Sequence, residues 1–393
     1  MLRILILVLI QLEGKIDSLR NGSFSREIVV YLRPSTYVFF KYHGRDSNMI
    51  IVFSGLFICL LLLNSSNLTK KGKCFVIWFF LFFVSAIKSL DTGDITQYLL
   101  HFEEIKRFGL LEIFKGYGFE GIRDVGFYGI ARLFSLAGLS STVWINSISF
   151  FFAGAVAYFI YRYSDNEWIS LLLVVVFYLR FSMTGLRQTV ALSIILFCYK
   201  FITERKLIPF LVLVLVASVF HESALVFLPA FFISEMQYGR KQLGIIVVVS
   251  AGVVLFPGVY RQLLSMLAMR QDLQGYATST TALSWSWFIL FFSIWMISYI
   301  MYRNTIDEEA RIEINRLLNL VMVGVVLQAC SAIVAVSFRI GYFYNIFCIG
   351  LLPKTIMSDQ VSTNKRIITI VVTISLIGYM ILSGSYSNFV TVW

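Results

Sequence analysis

"LIPFLVLVLVASVFHESALVFLPAFFI", residues 207–233, is an apolar run of membrane-crossing length interrupted by a histidine and a glutamate, His221 and Glu222. A spanning helix needs roughly 20 mostly apolar residues. An ionisable side chain at membrane depth costs about 2.5–3.5 kcal/mol on insertion scales. The stretch therefore reads as two undersized helices, 207–220 and 222–234, forming a tight hairpin with His221 and Glu222 at its tip. The composition agrees: 58% of the 393 residues are hydrophobic and only 14% are charged, with a mean hydropathy of +0.80, outside the range of soluble domains. Long continuous apolar runs are helical rather than alternating, and in lipid only helices or closed barrels satisfy the backbone.

The expected fold class is thus all-α: a polytopic integral membrane protein with about ten to twelve transmembrane helices. The other candidate spans lie near 49–64, 74–87, 141–161, 168–182, 187–202, 243–259, 285–301, 317–337, 340–355 and 367–385, several of them short for a full crossing. Residues 49–393 form one polytopic membrane domain that includes a long loop, 88–124. Residues 1–48 are an uncertain N-terminal extension or interfacial segment, because "LRILILVLI" is too short to span and the charged stretch after it has no pattern. The net charge of +11 falls largely in short loops, which argues against nucleic acid as a partner. "NLTKKGK", "TERK", "YGRK", "MYRNTIDEEARIEINR" and "STNKR" carry most of the loop Lys and Arg, so the positive-inside rule places them in the cytoplasm. By parity, loop 88–124, "RFSMTGLRQ", "FHES", the 260–284 loop and the turn at Arg339 then converge on the opposite face. "DVGFYGIARLFSLAGLS", 124–140, fits that parity as an interfacial or re-entrant helix that does not cross. The five cysteines have no C-x-x-C pair and read as buried thiols.

Four places carry chemistry-bearing residues. In "SLDTGDITQYLLHFEE", Asp91, Asp94 and Tyr98 share one helical face, which suits sugar hydroxyls or a general base; acids capping a helix N-terminus fit the same pattern. In "RFSMTGLRQTVA", Arg180 and Arg187 bracket Gly185 at the junction of two apolar runs. Arginine forks suit phosphate oxygens, and the pair is placed to hold a diphosphate or to snorkel to the interface. His221 is a membrane histidine with either a packing or a proton-transfer role, and Glu222 supports or caps it. Arg339 in "VSFRIGYFY" has no acidic residue near it in sequence, so its partner is a ligand, a distant side chain or the interface. Walker, G-x-S-x-G and H-E-x-x-H motifs are absent.

"LDTGDITQY", "GLRQTVALSIILF", "SVFHESALVFLP" and "FRIGYFY", in this order, resemble the EpsG/Wzy group of bacterial polysaccharide polymerases, and the likeness covers about Met49 to Leu352. Arg-Gln at the head of an apolar helix, followed some thirty residues later by Phe-His-x-Ser-Ala, is its most specific part. Arg339 and Gly350 also fit an R-x10-G spacing discussed for Wzy proteins. The resemblance implies an O-antigen polymerase of the bacterial inner membrane with GT-C-like architecture and an active site facing the periplasm. Its implied substrate is an undecaprenyl-diphosphate-linked oligosaccharide, and a chain-length regulator is an implied partner.

On that basis Arg187 and Arg339 are expected to hold the diphosphate, with Arg180 or Arg270 assisting. Histidine, whose ordinary pKa lies near neutrality, suits the base role at 221. Asp91 and Asp94 position sugar or share that role, and Gln188, Tyr98 and Glu222 complete the substrate contacts. No cofactor and no metal are expected, since several arginines around one diphosphate make a divalent ion redundant. The competing readings are a lipid-linked oligosaccharide flippase, an O-antigen ligase and a membrane acyltransferase.

Overall fold

In a computed structural model of the protein, the described residues are 52–64, 67–88, 93–114, 124–237, 285–331, 337–358 and 362–382, with scattered positions between 244 and 262. Residues 1–48, Asp91, Arg270, most of 243–259 and nearly all of the 260–284 loop, all of which figure in the sequence reading, lie outside them. Among the described residues the regular structure is entirely helical. The chain runs through α1 (Val52–Leu63), α2 (Lys70–Ala86), α3 (Gly93–Glu104), α4 (Leu110–Phe114), α5 (Val125–Leu136) and α6 (Ser141–Tyr163). It continues through α7 (Glu167–Thr184), α8 (Leu186–Thr203), α9 (Leu207–Phe220), α10 (Ala230–Ile233), α11 (Trp285–Tyr302), α12 (Glu308–Cys330), α13 (Ser337–Asn345), α14 (Cys348–Ser358) and α15 (Ser362–Leu382).

By length and composition, α6, α7, α8 and α12 can each cross a membrane, and the α13–α14 pair, bent by 42°, makes a fifth if taken as one span. Six shorter apolar helices accompany them. The expected ten to twelve crossings thus resolve, among the described residues, into four or five full-length helices and several partial ones. Helix α9 shows what surrounds the bundle. Phe210, Val214 and Ala217 are fully buried, whereas Ile208, Val212, Leu215 and Val219 on the other side are 76%, 52%, 54% and 42% exposed. Both faces are apolar, so the exposed one suits lipid and not water.

Two local structures differ from the sequence reading. The return limb of the 207–233 hairpin is a 3-10 helix, Glu222–Phe227, followed by the single turn α10. Pro229, which lacks an N–H, separates the two, so the limb cannot run as one α-helix. The acidic stretch "DEEARIEIN" is the start of α12 and not a loop, because Asp307 caps it by accepting from the Glu309 N–H and Glu308 and Glu309 favour a helix N-terminus. Within 88–124 the helix expected around Asp94 and Tyr98 is α3, and α4 follows it. Helix α5 is an independent element of twelve residues, about 18 Å long at 1.5 Å per residue, too short to cross a core of about 30 Å.

Helix α8 is the centre of the bundle, buried on nearly all sides from Leu186 to Ile202, and it packs against α6 and α9. Small residues set the closest helix approaches, as expected where no hydrophobic force separates helix from lipid. A Cβ on Gly324 of α12 would meet the Asn345 side chain and lie 2.8 Å from the Asn345 backbone nitrogen. Instead the Asn345 amide donates to the Gly324 carbonyl across the helix pair. A Cβ on Gly350 would lie 3.0 Å from the Phe159 ring, which belongs to a chain of ring contacts running from Tyr199 through Phe347 to Phe227 and Tyr344. The cysteines are free thiols, four buried and Cys330 partly so.

Gly324→Ala is expected to force α12 and α13 apart and to lower stability by about 1–3 kcal/mol, the usual cost of overpacking. Thermal unfolding of the purified protein in detergent checks this, and an unchanged midpoint contradicts the close approach.

Candidate active site

The site begins at the junction of α7 and α8. Within α7 a π-helical turn, Val175–Leu179, interrupts the α geometry directly before Arg180, and such bulges recur at functional positions. Gly185 then separates the two helices and closes against the Phe181 ring, which a Cβ there would approach to 2.8 Å. This turn puts Arg187 in the first turn of α8, at the same end of the bundle as the C-terminus of the antiparallel α9, where His221 caps the helix in extended conformation.

What joins them is Asp124. It precedes α5 in the left-handed region, φ 64° and ψ 47°, and does not cap its own helix. Aspartate tolerates that conformation better than most residues. Its carboxylate, 3% exposed, turns to the neighbouring helices. Oδ2 accepts from Arg187 Nη1 at 3.0 Å and lies 3.3 Å from His221 Nδ1, while Oδ1 accepts from the Glu222 backbone N–H at 3.1 Å. Gly126 makes this reach possible: a Cβ there would sit 2.6 Å from Val219 Cγ1 and 3.1 Å from the Val219 carbonyl oxygen, so only glycine lets α5 lie this close to the end of α9.

The geometry has a direct chemical meaning. Arg187 and His221 share one oxygen, so a fixed cation and an imidazole are held within about two hydrogen-bond lengths of each other. If Nδ1 donates to Asp124, Nε2 is left as the proton acceptor, and the carboxylate stabilises the imidazolium formed when a proton arrives. Arg187, 36% exposed, keeps donors beyond the one it gives Asp124. Its guanidinium lies 6.0 Å from the centroid of the Tyr98 ring. Burial pushes the Tyr98 phenol above its ordinary pKa while the Arg187 charge pulls it down, and the Tyr128 phenol is raised in the same way. Both therefore stay protonated near neutrality. Tyr128 is also hydrogen-bonded to His101 Nδ1, at 3.1 Å.

The other expected site residues fall into distinct positions. Arg180 and Arg339 are exposed, have no ion pair among the described residues, and both act electrostatically on the Tyr342 phenol. Gln188, expected to contact substrate, donates through Nε2 to the Arg339 carbonyl and ties α8 to α13. Glu222 contributes its backbone N–H to the cluster, and the residue is exposed. Asp94 is exposed in the first turn of α3, the acidic helix start that the sequence left open, four residues before the buried Tyr98. No three His, Cys, Asp or Glu side chains converge as metal ligands among the described residues. The residue that sequence reasoning missed is Asp124. Its signal was an acid at the head of an apolar helix with a glycine two positions on, but that pattern says nothing of partners 63 and 97 residues away.

A family model described as the EpsG family matches residues 73–392. The match starts later than the likeness seen in the sequence and continues past Leu352 through the C-terminal helix. No curated protein and no solved structure matches.

Asp124→Ala leaves Arg187, His221 and the Glu222 N–H without their acceptor. The expected loss is on the order of 3 kcal/mol, the lower end for breaking a buried pair because Arg187 is partly exposed. Asp124→Asn, which keeps the left-handed backbone and one acceptor oxygen, is expected to lose less; thermal unfolding that ranks the two the other way refutes the contact set. Gly126→Ala is expected to part α5 from α9, and Val219→Ala to restore only part of the loss, since the backbone oxygen stays in the way.

Proposed function

The chain belongs to the EpsG family, and from that membership and the pairing of Arg187 with His221 on one Asp124 oxygen we propose that it is a polysaccharide polymerase. It joins oligosaccharide repeat units carried on undecaprenyl diphosphate, at the periplasmic face of the bacterial inner membrane. The shared carboxylate oxygen carries the reading. Glycosyl transfer from a lipid diphosphate needs a fixed positive charge at the leaving group and a proton acceptor at the attacking hydroxyl, close together and without a nucleotide.

In the proposed step, a hydroxyl at the non-reducing end of the incoming unit attacks the anomeric carbon of the growing glycan. The bond from that carbon to the diphosphate oxygen breaks, and its electrons leave with the lipid diphosphate. Arg187 faces the charge that develops there, with Arg339 and Arg180 as further cations on the same groups, and Arg270 in the same expected role. The hydroxyl proton passes to Nε2 of His221, and Asp124 holds the imidazolium. Tyr98, whose ring centroid lies 6.0 Å from the Arg187 guanidinium, holds that side chain in place, while Asp91, Asp94 and Glu222 meet sugar hydroxyls. Positive charge fixed in advance by helix packing costs no reorganisation during the reaction. The expected protein partner is one that sets chain length.

The test is surface glycan from cells in which the gene is deleted and then complemented with wild type, Arg187→Ala or His221→Ala, at matched membrane levels. Deletion is expected to leave a single repeat unit, with neither variant restoring the ladder. In a reconstituted assay His221→Ala should slow transfer by about 10²–10⁴-fold, the usual contribution of a positioned base. Normal chain length in either variant removes that residue from the mechanism. Loss of even the single unit on deletion assigns the protein to flipping or ligation.

A further inference from the structure

A cavity of about 240 Å³ is lined by Phe220 and by side chains of α5, α6 and α8. Its walls continue the very segments that carry the cluster. Phe127 is three residues after Asp124 on α5, Val190 three after Arg187 on α8, and Phe220 is the residue before His221. On α8 the series Arg187, Val190, Ile194 keeps one helical face, as Trp144, Ser147, Ile148 and Phe151 do on α6. The groove thus descends about 10 Å from the level of Arg187, seven residues at 1.5 Å each. Its walls are apolar, and the charged cluster stands on the same segments about one helical turn away.

The groove is built rather than a gap between loosely packed helices. Phe127 and Trp144, both buried, pack with ring centroids 4.9 Å apart at a tilt of 57° and form its floor. Phe127 also contacts Tyr98 at 5.4 Å, the ring over which Arg187 sits, so floor and cation are one packed unit. The single polar lining residue, Ser147, spends its hydroxyl on the Trp144 carbonyl at 2.6 Å. It opens past Ile130 and Phe151, 37% and 38% exposed, toward the apolar outer surface of the bundle.

We propose that this groove seats the head-proximal part of the hydrocarbon chain of the lipid-diphosphate substrate, with the diphosphate at Arg187. The inference rests on the function proposed above and assigns the lipid subsite of that same site. An arginine that keeps donors beyond the one it gives Asp124, one helical turn from an apolar groove, suits an amphiphile with an anionic head. A neutral chain gains nothing at Arg187, and a free anion gains nothing from Phe127, Ile148 or Ile194. The cavity is smaller than the roughly 300–1,000 Å³ that takes a drug-sized molecule. It therefore holds only the first part of a long chain, the rest lying in the bilayer beyond Ile130 and Phe151.

The test uses the full-length protein in nanodiscs and a farnesyl diphosphate analogue with a photoreactive diazirine in its chain. Labelling is expected on α5, α6 and α8 around Ile130, Ile148 and Ile194, competed by unlabelled farnesyl diphosphate but not by farnesol or inorganic diphosphate. Ser147→Phe, which fills the groove without removing a needed hydrogen bond, and Ile194→Trp should each cut that labelling at least about tenfold with the thermal midpoint retained. Arg187→Ala should release the head and do the same. Labelling spread evenly over the lipid-facing helices, equal labelling by a headless diazirine chain, or full labelling in the folded Ser147→Phe protein overturns the proposal. A polymerisation assay on the same preparations separates the two claims: groove labelling without polymer formation counts against the function, while polymer formation with unchanged apparent KM for the lipid donor in Ser147→Phe counts against the groove.

Discussion

A single carboxylate, Asp124, organises one end of this helical bundle. It sits almost wholly shielded from water in a left-handed backbone conformation and takes donors from two other helices: the Arg187 guanidinium, the His221 imidazole and the Glu222 backbone N–H. A buried carboxylate is stable only when paired and hydrogen-bonded, so the three donors and the acid hold one another in place. Each partner comes from an element that the others do not control. The start of α5, the first turn of α8 and the C-terminus of α9 meet there, and the position of each depends on the same oxygen atoms.

That meeting depends on close helix approach, which this chain obtains with glycine. Gly126 lets α5 rest on the Val219 backbone, and Gly324 lets α13 lie against α12 with Asn345 bonded to the glycine carbonyl. Between apolar helices in lipid the gain comes from van der Waals contact and interhelical hydrogen bonds rather than from expelling water. A missing Cβ at the contact point therefore matters more than added apolar surface. Aromatic stacking fills the remaining space: Phe127 links Tyr98 to Trp144 beneath the cluster, so the packing that supports the site also lines the groove beside it.

The opposite end of the bundle is held by ionic contacts of a different kind. Arg316 of α12 pairs with Glu235 at 2.7 Å, Arg205 reaches the same acid at 3.4 Å, and the Tyr199 hydroxyl donates to Glu313 at 2.7 Å. Asn315 and Asn319 donate to the Met236 carbonyl, which follows α10. These contacts pin the α8–α9 turn and the 3-10 return limb to α12. The hairpin that carries His221 is therefore anchored at both ends, by charge pairs at its base and by Asp124 at its tip. Anchoring at two points restricts the imidazole's approach to Arg187, as a preorganised site requires.

The sequence by itself determined the class and the inventory. Apolar runs too long for a soluble core, interrupted by few charges, dictate a helical membrane protein because unpaired backbone groups have no other solution in lipid. The rarity of ionisable residues in such runs singled out Arg187, His221 and Arg339, since each costs free energy that must be recovered somewhere. The tertiary structure alone decided which of these meet. Asp124 lies at the start of a short helix and looks like a cap, and Gln188 looks like a ligand residue yet binds the Arg339 backbone. The reason is physical. Periodicity and composition report on contacts within a helix, a few residues apart. The partner of a buried charge is fixed by helix packing across the bundle, through glycine contacts and a left-handed residue that leave only a faint local signature.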